Sequence, residues 1–278
     1  MSHDRVTGDT PKEWKRSETV LLHKKGDSAD PGNYRPVGLM LTVYKLWTSM
    51  ITRCPVCSEQ NRPLSSSQEG FRQGHNCSCQ LANILNALED AHLFGRNIYM
   101  LYVDFTSAFN TLDQDKLLQL MWDMGFPRAA VEAVRKLYTG AHTVIRMCFG
   151  TSRPIPVDRG TVQGDTFSPF LFLLFIDPLL RWLHSGSRGY QHGCVPDGAL
   201  RKKTARSAAG LADDLLIMTN NHNDLAVLAD KVSRFVAWSG MAVNPAKCAA
   251  TGMLYHDAKA GSNTLCNYCA TTVTLTSV

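Results

Sequence analysis

The spacing of apolar positions changes from segment to segment along this chain, and each change of period predicts an element. Val20 to His23 is a short strand-like run, followed by the basic turn Lys24-Lys25-Gly26-Asp27. Asn33-Tyr34-Arg35-Pro36 is expected as loop, since a proline biases the residue before it away from helix. Leu46, Met50 and Ile51 predict one apolar helix face, and Leu81, Ile84, Leu85 and Leu88 predict another. Asn97 to Phe105 is a largely apolar strand interrupted near its end by Asp104. Leu117, Leu120, Met121 and Met124 predict a helix that Gly125 and Pro127 close, and Val131, Val134, Leu137 and Tyr138 suggest the next. Thr143 to Phe149 and Pro154 to Val157 have strand composition on either side of Gly150 to Arg153, the pattern of a hairpin. A strongly apolar helix is expected over Phe170 to Leu183. An amphipathic one is expected over Asp224 to Trp238, with Leu225, Leu228, Val232 and Phe235 on one face and Gly240 at its end.

Against this pattern three carboxylates stand out. Asp213 and Asp214 are adjacent between the apolar runs Gly210-Leu211-Ala212 and Leu215-Leu216-Ile217, and Asp104 ends the run Ile98 to Val103. Mg²⁺ is a hard cation that takes oxygen ligands, commonly one or two carboxylates together with substrate phosphates and water. Carboxylates at strand ends therefore outline a divalent-metal site, and three of them from two strands could hold the two ions of an in-line phosphoryl transfer. An isolated Asp-Asp pair is equally the composition of a turn or a helix N-cap.

Composition bounds the remainder. With 278 residues and 44% hydrophobic content, the chain can bury a sizeable core as one large domain or two lobes. A net charge of +5 permits a polyanionic partner without having the charge density of a dedicated nucleic-acid tail. No apolar run approaches the roughly 20 residues of a membrane span, and the polar opening Met1 to Thr10 is unlike a signal peptide, so an intracellular protein is expected. Nine cysteines in that setting are expected as reduced thiols. Cys54 with Cys57 and Cys266 with Cys269 form two Cys-x-x-Cys pairs, but neither has a second pair or a histidine at finger spacing, and His75 near Cys77 and Cys79 is no better placed. No zinc site is expected. The loop Gly160-Thr161-Val162-Gln163-Gly164-Asp165 leads into the apolar helix; its glycines would let backbone approach a ligand and Gln163 can hydrogen-bond a base or sugar edge, although a plain turn before a buried helix has the same composition.

Six segments in order carry a family resemblance. They are Asn33-Tyr34-Arg35-Pro36-Val37, Gln68-Glu69-Gly70-Phe71-Arg72, Tyr102-Val103-Asp104-Phe105-Thr106-Ser107-Ala108-Phe109, Gly160 to Asp165 with Ser168-Pro169, Ala212-Asp213-Asp214, and Asn244-Pro245-Ala246-Lys247. Together they resemble a reverse transcriptase, and the opening from Trp14 through Lys24-Lys25-Gly26-Asp27 to Tyr44-Lys45-Leu46 resembles the non-LTR (LINE-type) retrotransposon branch. The resemblance implies an α+β fold: right-hand polymerase fingers and palm, with an antiparallel palm sheet packed on helices. Residues 1–13 would be an N-terminal tail, 14–255 fingers and palm, and 256–278 a truncated C-terminal segment. Fingers would take Trp14 to Gly95 and part of Ala129 to Asp158, and the palm would bring Asp104 beside Asp213 on neighbouring antiparallel strands.

The same resemblance implies roles. Asp104, Asp213 and Asp214 match the metal-binding carboxylates, with Mg²⁺ or Mn²⁺ as cofactor. Arg35 matches a basic fingers residue that binds the triphosphate, assisted by Lys24 or Lys25; a guanidinium fork suits phosphate oxygens and a lysine acts as a point charge. Phe105 and Phe109 fall in the nucleotide-binding set, Phe109 as the bulk under the incoming sugar that clashes with a 2′-hydroxyl. Gln163 and Gly164 match a loop that contacts nucleotide and template. Lys247 resembles a lysine proposed to protonate leaving pyrophosphate, and a solvated surface lysine is its plain alternative. The implied reaction extends a DNA primer on an RNA template from deoxynucleoside triphosphates, in nucleus or cytoplasm.

Three departures qualify the resemblance. Leu211 stands where an aromatic residue is usual, Asn110 replaces a common Asp, and the Leu-Gly turn that grips a primer is not found before Val278. The chain is therefore expected to be a fragment without a thumb, either a polymerase core or a remnant that keeps the fold and a nucleic-acid-binding surface.

Overall fold

A computed structural model describes residues 10–53, 64–161, 164–192, 204–255 and 265–267. The chain divides into two compact units, one of residues 1–64 with 107–175 and the other of 65–106 with 176–278. The fold is α+β.

In the first unit, β1 (Arg16–His23) pairs antiparallel with β2 (Tyr34–Leu39), joined through a turn in which Asn33 and Asp30 make local hydrogen bonds. The strand starts four residues before the apolar run because Arg16 to Thr19 pair in parallel with β4 (His142–Met147), a long-range contact that leaves no local pattern. The two-residue strands β5 (Gly150–Thr151) and β6 (Ile155–Pro156) both pair antiparallel with β4; β6 falls in the expected return strand, whereas β5 lies in the segment expected as the connection. After the short helix α3 (Ala108–Thr111), helices α4 (Gln114–Asp123) and α5 (Arg128–Tyr138) pack together, with Leu117, Leu120 and Met121 of one and Val131, Val134 and Leu137 of the other buried. Asp113 caps α4 by accepting the Lys116 N–H at 3.1 Å.

Two helix faces differ from expectation. In α1 (Thr42–Thr52), Leu46 and Met50 are 62% and 71% exposed, while Tyr44 and Thr48 are buried. The reason is a buried carboxylate: Thr48 Oγ1 donates to Asp165 Oδ1 at 2.9 Å and Tyr44 OH to Asp165 Oδ2 at 3.4 Å, so hydrogen bonding turned the helix. Burial pushes the Asp165 carboxyl up, while its hydroxyl and backbone donors pull it back.

In the second unit, α2 (Cys77–Leu93) bears out half of the expected face: Ile84 and Leu88 pack against the core, Leu81 and Leu85 are exposed, and Gln80, Ala87 and Ala91 are buried. Small residues let the helix lie close against the sheet, and Gln80 Nε2 donates to Ser67 O and Gly210 O. That sheet has the order β12-β11-β3-β10-β9, comprising β3 (Ile98–Asp104), β9 (Ala208–Leu211), β10 (Asp214–Thr219), β11 (Ala249–Tyr255) and β12 (Leu265–Asn267), all antiparallel. Ile98 and Met100 of β3, Ala209 of β9, and Leu216 and Met218 of β10 form one buried cluster with Ala87 and Ala91. Helix α7 (His222–Ser239) packs on β3 and β10 through the face foreseen, Leu225, Leu228, Val232 and Phe235. Asn221 caps it, accepting the Asp224 N–H at 2.8 Å, and Gly240 ends it at φ 70°. Helix α6 (Ser168–His184), whose residues are shared between the two units, is buried from Leu171 to Ile176, as its apolar run requires, and beyond it β7 (Tyr190–His192) pairs antiparallel with β8 (Thr204–Arg206). No helix among the described residues is long and apolar enough to cross a membrane.

Residues 65–95 thus belong with the acidic sheet rather than with the first unit, because Gln68 and Glu69 pair along β9 and α2 packs on it.

Candidate active site

β3 and β10 are antiparallel with Asp104 directly opposite Asp214. Residues opposite each other in such a pair project from the same face, with Cβ atoms about 4.5–5.5 Å apart. Asp213 is not on a strand; it lies with Ala212 in the two-residue turn that joins β9 to β10, Leu211 pairing with Asp214 across it. The strand partner of Asp104 is therefore Asp214, one position beyond the expected Asp213.

A fourth residue joins them. Thr106 N–H donates to Ala242 O at 2.7 Å, Asn244 N–H to Asp104 O at 2.8 Å, and Phe105 bridges Val243. These bonds hold the turn Asn244 to Lys247 against the end of β3, so that Lys247 Nζ reaches 3.5 Å from Asp104 Oδ2 with a side chain 66% exposed. The next residue, Cys248, accepts the Asp104 N–H through its Sγ at 3.4 Å.

Electrostatics follow this crowding. Desolvation at the strand end, then the charges of Asp213 and Asp104, push the Asp214 carboxyl above its ordinary value, and the Lys247 ammonium pulls it down. A set of hard oxygen donors whose charges repel one another is chemically suited to a divalent cation. Yet among the described residues no three His, Cys, Asp or Glu side chains converge as a ready-made metal cage.

Of the remaining candidates, Lys24, Lys25, Arg35, Phe109 and Gly164 lie in the first unit. Lys24, Lys25 and Arg35 converge with Leu22 and His23 around an open depression of about 450 Å³ at the β1–β2 turn. Their meeting follows from register, Leu22 facing Arg35 and His23 facing Tyr34. Phe109 stacks on Phe172 of α6, ring centroids 4.4 Å apart and 23° between planes, and its carbonyl accepts the Thr161 N–H at 2.8 Å. Gly164 has φ 108°, and a Cβ there would stand 2.4 Å from Gly38 O. Gly160 is similar, a Cβ meeting Asn110 at 2.6 Å. Both glycines admit the chain's own backbone, where the sequence suggested close approach of a ligand. Phe105 is 4% exposed, so its side chain packs in the core of the second unit, and only its backbone could meet a nucleotide. Gln163, Cys54, Cys57 and Cys269 lie outside the described residues. His75, passed over as a zinc ligand, has Nδ1 at 2.6 Å from Glu69 Oε2.

Sequence reasoning assigned no role to Gln68 and Gly70. Gln68 hydrogen-bonds the Ala212 backbone, and a Cβ on Gly70 would stand 2.3 Å from Ala212 N. Their motif was legible, but no local periodicity links residue 68 to residue 212.

Carboxylates at the ends of adjacent antiparallel strands are oxygen ligands of the kind that hard divalent cations take. The family described as reverse transcriptase (RNA-dependent DNA polymerase) matches residues 22–264, and the chain belongs to it. Similar proteins include the Pol polyprotein of the type-2 retrotransposable element R2DM from Drosophila melanogaster, 27% identical over 88% of this chain and 22% of that protein. The R2 polyprotein of Popillia japonica is 26% identical over 87% of this chain and 33% of that protein. These relatives agree with the non-LTR branch that the motifs resemble, and the chain spans about a fifth to a third of their length. Among solved structures, apo telomerase from Candida tropicalis truncated from its C-terminal domain is similar in fold, with a TM-score of 0.60 and 13% identity over 93% of this chain and 54% of that one.

Proposed function

We propose that this chain carries RNA-directed DNA polymerase chemistry: a primer 3′-oxygen attacks the α-phosphorus of a deoxynucleoside triphosphate, the α–β phosphoanhydride bond breaks, and pyrophosphate leaves. The observation that supports this most directly is the register of Asp104 opposite Asp214 with Lys247 at 3.5 Å from Asp104. Asp104, Asp213 and Asp214 would hold Mg²⁺ or Mn²⁺, which when bound supplies neutralisation of the charge on attacking and leaving oxygens. Lys247 would deliver a proton to the pyrophosphate; its exposed ammonium is held near the carboxylates by the Asn244 turn. Arg35, with Lys24 and Lys25, would take phosphate oxygens, and Phe109 would exclude the 2′-hydroxyl with a ring that its stack on Phe172 keeps from rotating away. Gln163 and Gly164 would line the nucleotide and template. The template would be RNA, gripped through backbone and shape, with sequence read by base pairing.

Primer extension on an RNA template with Mg²⁺ or Mn²⁺, comparing the chain with Asp104→Asn, tests this reading. Extension that Asp104→Asn abolishes is expected. Equal binding of template–primer by both proteins with no extension by either would overturn it in favour of a non-catalytic nucleic-acid-binding remnant.

A further inference from the structure

The segment Gln68 to Arg72 runs beside the strand that leads into the acidic turn. Gln68 bridges Gly210 in parallel, Glu69 N–H donating to Gly210 O at 3.0 Å and Gly210 N–H to Ser67 O at 2.7 Å. The Gln68 side chain, in a residue only 2% exposed, then reaches Ala212. Its Oε1 accepts the N–H of Ala212 at 2.8 Å and that of Gly70 at 2.8 Å, while its Nε2 donates to Ala212 O at 3.1 Å. One amide therefore satisfies both polar groups of the Ala212 backbone.

Chemistry and conformation both ask for this. Only an amide offers an acceptor and a donor side by side in one plane; glutamate would set negative charge against Ala212 O, and methionine offers neither bond. Ala212 has φ 58°, a conformation that a residue with a Cβ holds only when its surroundings over-determine it. Gly70 lies against the same peptide, leaving no room for a Cβ. Arg72 Nη1 in turn donates to Ser65 O and Gln68 O, fixing the segment that carries the amide.

We infer that Gln68 is a positioning residue: its amide locks the Ala212 peptide in the left-handed conformation and thereby sets where Asp213 and Asp214 stand relative to Asp104. This rests on the polymerase reading for its kinetic consequence, but not for its metal-binding consequence.

The test uses the full chain and Mn²⁺ alone as first probe, followed by primer extension. Supporting groups around metal ligands typically change affinity by 10–100-fold, and a displacement of about 1 Å costs about a hundredfold in rate. Gln68→Met should therefore weaken Mn²⁺ binding by about tenfold or more and lower kcat by about a hundredfold, with template–primer affinity changed by less than about threefold. Thr219→Val removes a buried hydrogen bond to Asn221 O at the other end of β10 and serves as the control for destabilisation. It should lower Tm without weakening Mn²⁺ binding. Gly70→Ala, pressing on the same peptide, should act in the same direction as Gln68→Met and carries the comparison if that variant does not fold. Mn²⁺ affinity unchanged in both Gln68→Met and Gly70→Ala, or weakened as much by Thr219→Val, overturns the positioning role. A wild-type chain that binds Mn²⁺ but extends no primer overturns the polymerase reading alone, and one that binds no Mn²⁺ overturns both.

Discussion

Lys247 Nζ stands 3.5 Å from Asp104 Oδ2, the two residues being brought together by the backbone bonds of Ala242 and Asn244 to the end of β3 and by the pairing of β11 with β3 just beyond Lys247. An exposed pair at this distance contributes at most about 1 kcal/mol to stability. Lys247→Met should thus leave the unfolding midpoint nearly unchanged while lowering the rate of nucleotide addition by about 10²–10⁴, the usual contribution of a general acid. Lys247→Arg should recover little, because a guanidinium does not release its proton in this range. Single-turnover extension measures both, and a loss below about threefold for Lys247→Met would remove the acid role.

Asp214 carries the raised carboxyl of the site, crowded by Asp213 and Asp104. Asp214→Asn removes one of three like charges, so the metal-free protein should gain thermal stability. In the wild type, Mg²⁺ or Mn²⁺ should raise Tm, and in Asp214→Asn that increment should shrink. Differential scanning calorimetry with and without metal reads both changes; a wild-type Tm indifferent to either cation would speak against metal binding here.

Phe109 is half-buried and stacked on Phe172. Phe109→Ala should cost about 1–3 kcal/mol of stability, less than a fully buried phenylalanine. It should also raise ribonucleotide over deoxynucleotide incorporation by about tenfold or more by removing the clash with a 2′-hydroxyl. Primer extension with each nucleotide class gives the ratio. Loss of stability with an unchanged ratio would reduce Phe109 to core packing.

His184 sits against Ser67 Oγ through Nε2, and burial together with the Arg206 charge holds its imidazole below the ordinary value of 6.5. Such a group favours the folded state while neutral. Stability should be full above about pH 6.5 and fall as pH drops below it, where the unfolded chain takes up a proton that the folded chain resists, with a slope of at most about 1.4 kcal/mol per pH unit. His184→Gln should flatten that part of the profile in urea titrations between pH 5 and 8. A parallel profile in the variant would assign the acid sensitivity to other groups.

Much of this protein was determined locally and could be read as such. The glycine stops of α4 and α7, the apolar face of α7 and the apolar run of α6 each depend on residues a few positions apart, and short-range sterics and hydrogen bonds suffice to set them, whereas Tyr34 to Pro36, expected as loop, form a strand because β2 pairs with β1. The acidic residues stood out as carboxylates set among apolar runs, although an Asp-Asp pair is also the composition of a turn, and Asp213 lies in one. What the tertiary structure decided was pairing. It set Asp214 rather than Asp213 opposite Asp104, since the turn takes up Ala212 and Asp213. It turned α1 onto Tyr44 and Thr48, because hydrogen bonds to buried Asp165 outweighed the exposure of Leu46 and Met50. It brought Lys247 to Asp104 and the Gln68 amide to Ala212. Each of these joins residues far apart in sequence, where no period or propensity carries information; strand register decides which residues of β3, β9 and β10 meet, and hydrogen bonds between distant segments decide the others.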